Sequence, residues 1–444
     1  MKFWVIVILF AVLAPGCLAQ SQQPREVAFI NVNVVPMTSQ SILTGQTVLV
    51  RGDRIVQIGP AAKVKVPDGA ARIDGAGKYL MPGLAEMHGH VPPPDAPRDY
   101  IESILYLYVA GGVTTVRGMQ GAPGQLDLRD RANRGELVSP TLYLAGPPFS
   151  GASIDSPEQA VERVREQHLA GWDLLKVLPG LTRDEYDSMA KAARDVGIRF
   201  AGHVPADVGL LHALQMKQDT IDHVDGYIEH LKADGGPVNE AQLSEVVRRT
   251  KEGGTWIVPT MAVWETLIGA AGIEKLLSYP ELRYMPPQQV VNWEKSHRNR
   301  LGDPQFDHKK AELVAANRKR ILKALHDAGV RILLGSDAPQ QYSVPGFSIH
   351  REMALMRDSG MTPFEIIRSG TKSVGDYFKD KDQFGTIEAG KRADLILING
   401  DPLKDISNVA NRAGVMVRGR WLPEGEIQKK LESIAASYSK GASR

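Results

Sequence analysis

From about residue 80 to residue 340 the chain repeats one pattern, a short apolar run followed by a longer segment of helical period. Strands that alternate with helices build a parallel sheet, because a parallel neighbour is reached only through a crossover connection. Eight such runs can be counted. The first four end near His90, near Arg117 (after Gly112-Val113-Thr114-Thr115-Val116), near Gly146 (after Thr141-Leu142-Tyr143-Leu144-Ala145) and near Lys176 (after Asp173-Leu174-Leu175). The next four end near His203 (after Arg199-Phe200-Ala201-Gly202), near His223 (after Thr220-Ile221-Asp222), near Thr260 (after Thr255-Trp256-Ile257-Val258-Pro259) and near Asp337 (after Arg331-Ile332-Leu333-Leu334-Gly335-Ser336). Eight units predict an α/β chain folded as a (β/α)8 TIM barrel, whose active sites lie at the strand C-termini.

The flanks read differently. Val27–Val35, Thr47–Val50 and Ile55–Gly59 are β-branched runs separated by turns such as Arg51-Gly52-Asp53-Arg54. A similar unit returns at Gly385-Thr386-Ile387, Ala393–Ile398 and Val415–Trp421. The two β-rich ends are expected to pair, so residues 20–80 and 380–425 predict one small β-sandwich domain beside a barrel at 81–379. Ile427, Leu431, Ile434 and Tyr438 recur at spacings of four, three and four, which predicts an amphipathic helix within 426–444. The connection from Met261 to Ala328 is unusually long and reads as a lid or specificity wall over the active face.

Lys2, the apolar run Phe3–Leu13 and the small-residue end Ala14–Ala19 read as a secretory signal peptide at 1–19, hence a periplasmic or extracellular protein. The run is too short to span a bilayer. Cleavage after Ala19 removes Cys17, the chain's only cysteine, so the exported chain forms no disulfide. Leu13-Ala14-Pro15-Gly16-Cys17 also resembles a lipobox, which makes a lipid anchor at Cys17 the alternative, although Pro15 fits it poorly. The 53 basic and 51 acidic residues nearly cancel, leaving +2, which argues against nucleic acid as a partner. A small-molecule substrate and an assembly of identical subunits are expected instead.

Chemistry concentrates at the strand ends. In Leu80-Met81-Pro82-Gly83-Leu84-Ala85-Glu86-Met87-His88-Gly89-His90, His88 and His90 are two apart on a strand and share a face, forming half of a metal site. Lys176, His203, His223 and Asp337 end later strands. Each has a bland reading alone: Lys176 as a solvated strand end, His203 and His223 as core histidines, Asp337 as a helix cap. Six polar groups, each at the active end of its strand, are poorly explained that way together.

In this order the motifs Pro-Gly-Leu-x-x-x-His-x-His, Lys176, His203, His223 and Asp337 resemble the amidohydrolase superfamily of metal-dependent hydrolases. Gly112–Val116 and Gly385-Thr386-Ile387-Glu388-Ala389-Gly390-Lys391-Arg392-Ala393-Asp394-Leu395 extend the likeness over nearly the whole exported chain. Within the superfamily the chain looks most like the imidazolonepropionase-like and Xaa-Pro-dipeptidase-like members.

The resemblance implies two divalent ions, most often Zn²⁺, with Mn²⁺ or Co²⁺ as substitutes. His88, His90 and Asp337 would hold the first and His203 and His223 the second. Lys176, carboxylated by carbon dioxide to a carbamate, would bridge them, since an ordinary ammonium has no lone pair to give. A bridging hydroxide would then attack a carbonyl, with Asp337 as general acid–base. Tyr227 is the first candidate for an oxyanion donor and His230 the second. His297 and His308, in the long connection, are candidates to touch substrate. His350 is expected to support the Asp337 loop, and His168, His212 and His326 to be surface or packing residues. Arg117, Arg283 and Arg351 are candidates to meet a substrate carboxylate.

Two departures weaken any particular substrate. Arg117-Gly118-Met119 stands where relatives often carry an aspartate, and Lys176-Val177-Leu178-Pro179-Gly180 departs from the usual segment after the bridging lysine. The expected reaction is hydrolysis of a C–N amide bond in a dipeptide or N-acyl amino acid, an aryl amide of the mycotoxin type being a variant. A cyclic amide, imide or lactone hydrolase is the enzymatic alternative, and a catalytically inactive binding protein the alternative of another class.

Overall fold

The computed structural model describes residues 26–441, so the leader expected at 1–19, with Cys17, lies outside the described residues. The two β-rich ends come together in one eight-stranded sheet. Its order is Arg420–Pro423, Arg412–Val417, Leu395–Ile398, Tyr79–Pro82, Glu26–Val34, Leu43–Arg51 and Arg54–Pro60, with Ala71–Asp74 also paired to Glu26–Val34. The seam between the ends is antiparallel, with Leu395 opposite Pro82 and Ile398 opposite Tyr79. Val27, Phe29, Val48, Ile55, Leu80, Leu395 and Met416 form its buried apolar layer, where Trp421 meets Phe29 edge-on at 5.2 Å.

Two expectations at the C-terminal end need correction. Val415–Trp421 is not one strand, because Arg418 and Gly419 turn through positive φ and split it into a hairpin. Gly385-Thr386-Ile387 forms no strand, and Ile387 instead donates its N–H to the Pro36 carbonyl.

The middle of the chain is a TIM-barrel-like α/β arrangement. Seven of the eight expected runs form strands: Leu84–Gly89, Val113–Gly118, Thr141–Leu144, Leu174–Val177, Arg199–Gly202, Thr220–Asp222 and Trp256–Val258. Every pairing among them is parallel, and a bridge from Ala145 to Leu174 joins the first three to the last four.

The eighth run is not a regular strand, yet it bonds on both sides. Leu333 donates to the Ile257 carbonyl, Met87 donates to that of Leu334, and Asp337 donates to that of His88. Regularity fails at two residues. A Cβ on Gly335 would sit 2.6 Å from Val258 Cγ1 and 2.9 Å from the His88 nitrogen, and Asp337 takes φ 60. Those are left-handed and crowded conformations that a ladder does not accommodate.

Helices fill the connections with ordinary end chemistry. In Arg183–Val196, for instance, Thr182 and Glu185 make a reciprocal capping box. The long connection holds Met261–Leu267, Ile273–Leu277, Pro287–Leu301 and His308–Asp327. The final helix, Glu424–Gly441, buries Ile427, Leu431 and Ile434 as its spacing predicts, each contributing about 1.5–3 kcal/mol. Among the described residues no helix is long and apolar enough to cross a membrane.

Candidate metal centre

Along Leu84–Gly89, Ala85 and Met87 face a hydrophobic layer with Tyr143 and Val258, which turns Glu86 and His88 to the opposite side. His90 Nε2 lies 2.7 Å from Asp337 Oδ1, and His88 Nε2 lies 3.7 Å from the same oxygen. One ligand atom from each of these residues falls within 4.8 Å of the others. Ligands bound about 2.0–2.2 Å from one ion sit roughly 3–3.6 Å apart, so this trio can close on a divalent cation with little movement. Lys176 Nζ is 3.2 Å from His88 Nε2. The His223 ring lies 4.4 Å from that of His88 and 4.5 Å from that of His203. All six strand-end residues thus form one continuous cluster.

Three of the four histidines are oriented from behind. His88 Nδ1 is 2.7 Å from Asp222 Oδ2, His203 Nδ1 is 2.5 Å from Asp225 Oδ2, and His223 Nδ1 is 2.7 Å from Thr260 Oγ1. With its Nδ1 engaged, His88 turns Nε2 toward Lys176 and Asp337, the usual way that an outer partner fixes tautomer and direction. Asp222 is itself held by Thr220 Oγ1 at 2.5 Å and by Arg117 Nη2 at 3.2 Å. Glu86 ties the His88 and Asp337 segments together, accepting from the N–H groups of His88 and Ser336 and from the Ser336 hydroxyl.

Burial sets the charge states. It drives the His88 and His223 imidazoles well below their ordinary range, helped at His88 by Lys176 and at His223 by the His88 and His203 rings, so both are neutral. It also lowers Lys176, against the pull of Asp222 and Asp337. Burial pushes the Asp222 carboxyl up, but the adjacent Arg117 guanidinium and the Thr220 hydroxyl bond outweigh it and hold the group below the usual carboxylate range. Burial, helped by the nearby Asp337 carboxylate, pushes Glu86 up to about 8 against the pull of its Ser336 and His88 hydrogen-bond donors. Neutral imidazoles beside a carboxylate suit Zn²⁺, Mn²⁺ or Co²⁺. The backbone is strained where it presents these groups, with φ 65 at His223, 45 at Thr260 and 60 at Asp337.

The sequence profile of the amidohydrolase family matches residues 79–422. The chain belongs to that family. A Xaa-Pro dipeptidase, solved with methionine bound in its active site, superposes with a TM-score of 0.68 over 90% of this chain and 100% of its own at 22% identity. Adenine deaminase 3 of Rhizobium meliloti (strain 1021) is 22% identical over 92% of this chain, which spans 59% of that relative's length. Imidazolonepropionase of Pseudomonas paraeruginosa (strain DSM 24068 / PA7) is 26% identical over 80% of this chain and 88% of its own.

Several residues of this amidohydrolase sit elsewhere than expected. The Tyr227 hydroxyl is buried and bonds Thr250 Oγ1 at 2.6 Å on the helix Glu240–Gly253, because Gly226 turns the chain through φ 77 just before it. His230 is exposed at the end of the short helix Tyr227–His230. The Tyr227 hydroxyl is therefore committed to Thr250. Arg117 is fully enclosed, with Met87, Thr220, Asp222 and Tyr377 as partners, so it positions Asp222 rather than meeting substrate. Arg351 is taken by Glu281 and Arg283 stacks over Tyr284.

In the long connection, His297 bonds the Ala271 carbonyl and His308 pairs with exposed Glu312. His350 braces the Gly111 carbonyl at the end of the first barrel helix, Arg98–Ala110, instead of the Asp337 loop. His168 is exposed, while His212 and His326 pair with Asp187 and Glu365.

The outer partners Asp222, Asp225 and Thr260 escaped the sequence reading, although each stands within three residues of a strand end. A cleft of about 320 Å³ opens beside His90, lined by Tyr100, Gln125, Gln289 and Gln340. A larger groove of about 560 Å³, between Arg98, Tyr106 and Lys430, contains none of the six residues.

Proposed function

We propose that this chain is an exported, binuclear metal-dependent amidohydrolase that cleaves a C–N amide bond in a dipeptide or N-acyl amino acid. The observation that carries the reading is the convergence of His88, His90 and Asp337 on one point, with Lys176 Nζ 3.2 Å from His88 Nε2 and the His203 and His223 rings adjoining. His88, His90 and Asp337 would hold one ion and His203 and His223 the second. In this reading the eight β/α stations close as a barrel and the terminal sheet folds over itself as a sandwich, supported by hydrogen bonds on both sides of residues 331–338 and by the shared apolar layer of the sheet.

A bound pair of divalent ions supplies Lewis acidity toward a carbonyl and acidifies nearby water. The chain does the rest. Burial favours the neutral Lys176 amine, the form that would add to carbon dioxide, losing a proton, so Lys176 would hold both ions as its carbamate. Asp337 takes the proton of the attacking water and returns it to the departing nitrogen, so that a neutral amine leaves. Asp222 and Asp225 keep the His88 and His203 rings from rotating while charge redistributes. The imidazolonepropionase relative supports a second reading, hydrolysis of a cyclic amide by the same residues.

The test is elemental analysis and hydrolysis together, on chain produced with zinc or manganese and bicarbonate, against Xaa-Pro dipeptides and N-acyl amino acids. Two metals per chain, turnover, and loss of both in Lys176→Ala are expected. A wild-type chain that takes up no metal refutes the reading, and one metal with an unaffected Lys176→Ala refutes the bridge.

A further inference from the structure

Four arginines are buried among the described residues: Arg117, Arg318, Arg392 and Arg412. Three have a carboxylate beside them, Asp222 at 3.2 Å for Arg117, Asp394 and Asp382 at 2.7 Å for Arg392, and Glu424 at 3.9 Å for Arg412. Arg318, only 4% exposed on the helix His308–Asp327, makes no ion pair, and its Nε and Nη2 have no hydrogen-bond partner among the described residues. Its guanidinium lies over the Trp264 ring at 4.3 Å, and the Trp264 Nε1 is unpartnered too. The Trp264 ring is 6.0 Å from that of His223. Three buried, unused N–H-bearing atoms therefore stand one side chain away from the metal centre, on elements of the long connection.

The acids that face Arg318 do not neutralise it. Asp225 is committed to His203 at 2.5 Å, and Glu229 is exposed. The carboxyl of Glu352 accepts from the backbone N–H groups of Met261 and Ala262, and burial pushes it up to about 8, leaving it uncharged near neutrality. Burial lowers Arg318 to about 10, so it remains a cation there. A buried cation with no counter-ion is costly, and the cost is recovered when a ligand brings the missing charge. Nε and Nη2 share one edge of the planar fork, the edge that pairs side-on with both oxygens of a carboxylate.

We propose that Arg318, stacked on Trp264, binds a carboxylate of the substrate and so selects acidic amides over neutral ones. This rests on the hydrolase reading above for the word substrate, but the anion site can be tested without turnover. The probes are N-acetylglycine and N-acetylglycinamide, alike except for the charge. Their affinities are measured by calorimetry on the metal-loaded chain, as wild type, Arg318→Met and Arg318→Lys, with hydrolysis assayed in parallel.

In wild type the acid is expected to bind about 100-fold more tightly than the amide. Arg318→Met brings that ratio close to one, and Arg318→Lys, a point charge without the fork, leaves a ratio of about ten. No acid preference in wild type, or a full preference retained in either variant, overturns the proposal. If Arg318→Met fails to fold, the wild-type ratio and Arg318→Lys decide alone. A preference that falls as expected in a chain hydrolysing no amide would sink the hydrolase reading and keep the anion site. Hydrolysis indifferent to charge would do the reverse.

Discussion

Replacing Asp222 with asparagine removes one negative charge from a place where His88 Nδ1, Arg117 Nη2 and Thr220 Oγ1 all converge. The amide keeps the shape of the carboxylate but accepts at one atom where the carboxylate accepted at two. Two costs follow. Arg117 is left buried beside a neutral group, and breaking such a pair costs about 3–5 kcal/mol; Met87 and Thr220 still bind Arg117, so the low end applies. His88 also loses the acceptor that fixes its ring, which lowers metal affinity roughly 10- to 100-fold. Denaturant unfolding of the metal-free chain reads the first cost, and chelator competition for zinc reads the second. An Asp222→Asn chain with wild-type zinc affinity would refute the claim that Asp222 orients His88. One with a wild-type denaturation midpoint would refute the buried pair.

Stability of the metal-free chain should peak near pH 6.5. Below about 6.5 the unfolded chain protonates His88 and His223, and also His350, whose folded value burial lowers to about 4; the folded rings resist, so each costs about 1.4 kcal/mol per pH unit as pH falls. Glu86 and Glu352, both pushed up to about 8, stay protonated in the fold while the unfolded chain ionises them above about 4.5, so stability declines as pH rises toward 8. Denaturation midpoints at about pH 5, 6.5 and 8 check this, and a maximum at the alkaline end would contradict the uncharged glutamates. Gly335→Ala forces a methyl against Val258 and the His88 backbone, so a loss of about 1–3 kcal/mol and weaker metal retention are expected; unchanged values would mean that the loop yields freely. Tyr227→Phe should cost about 1 kcal/mol of stability through Thr250 and leave kcat alone, whereas a fall of roughly 100-fold in kcat would return the hydroxyl to the reacting carbonyl.

What could be read in the sequence was the set of residues that interrupt an apolar pattern at its end. His88, His90, Lys176, His203, His223 and Asp337 each follow a strand-like run, and their order carried the resemblance. Side chains that serve those residues carry no such mark. Asp222 is the last residue of a three-residue strand and looks like the start of a turn. Glu86 sits inside an apolar run as though it were an exception. Arg318 has the ordinary look of a helix in which basic residues recur, and only packing distinguishes it from Arg320, whose guanidinium pairs with exposed Glu240. The Tyr227 hydroxyl reaches Thr250 just after the left-handed Gly226, a change of direction that spacing does not encode. The eighth run was recognised by composition, but its irregular backbone follows from Gly335 and Asp337 meeting His88 and Val258 at short range.

The seam between the chain ends governs when the metal centre can exist. Tyr79–Pro82 runs straight into Leu84–Gly89, and it is held by Leu395–Ile398, with Gly83 donating to the Asp394 carbonyl. The strand that leads into His88 and His90 therefore has a partner synthesised some three hundred residues later, whereas Leu84–Gly89 itself pairs with the nearby Val113–Gly118. During synthesis the histidines emerge early, yet their support is completed only when the last tenth of the chain has left the ribosome. Long-range closures of this kind slow folding. A polypeptide truncated before Leu395 would therefore carry all six strand-end residues but lack the antiparallel partner of the strand that leads into His88 and His90.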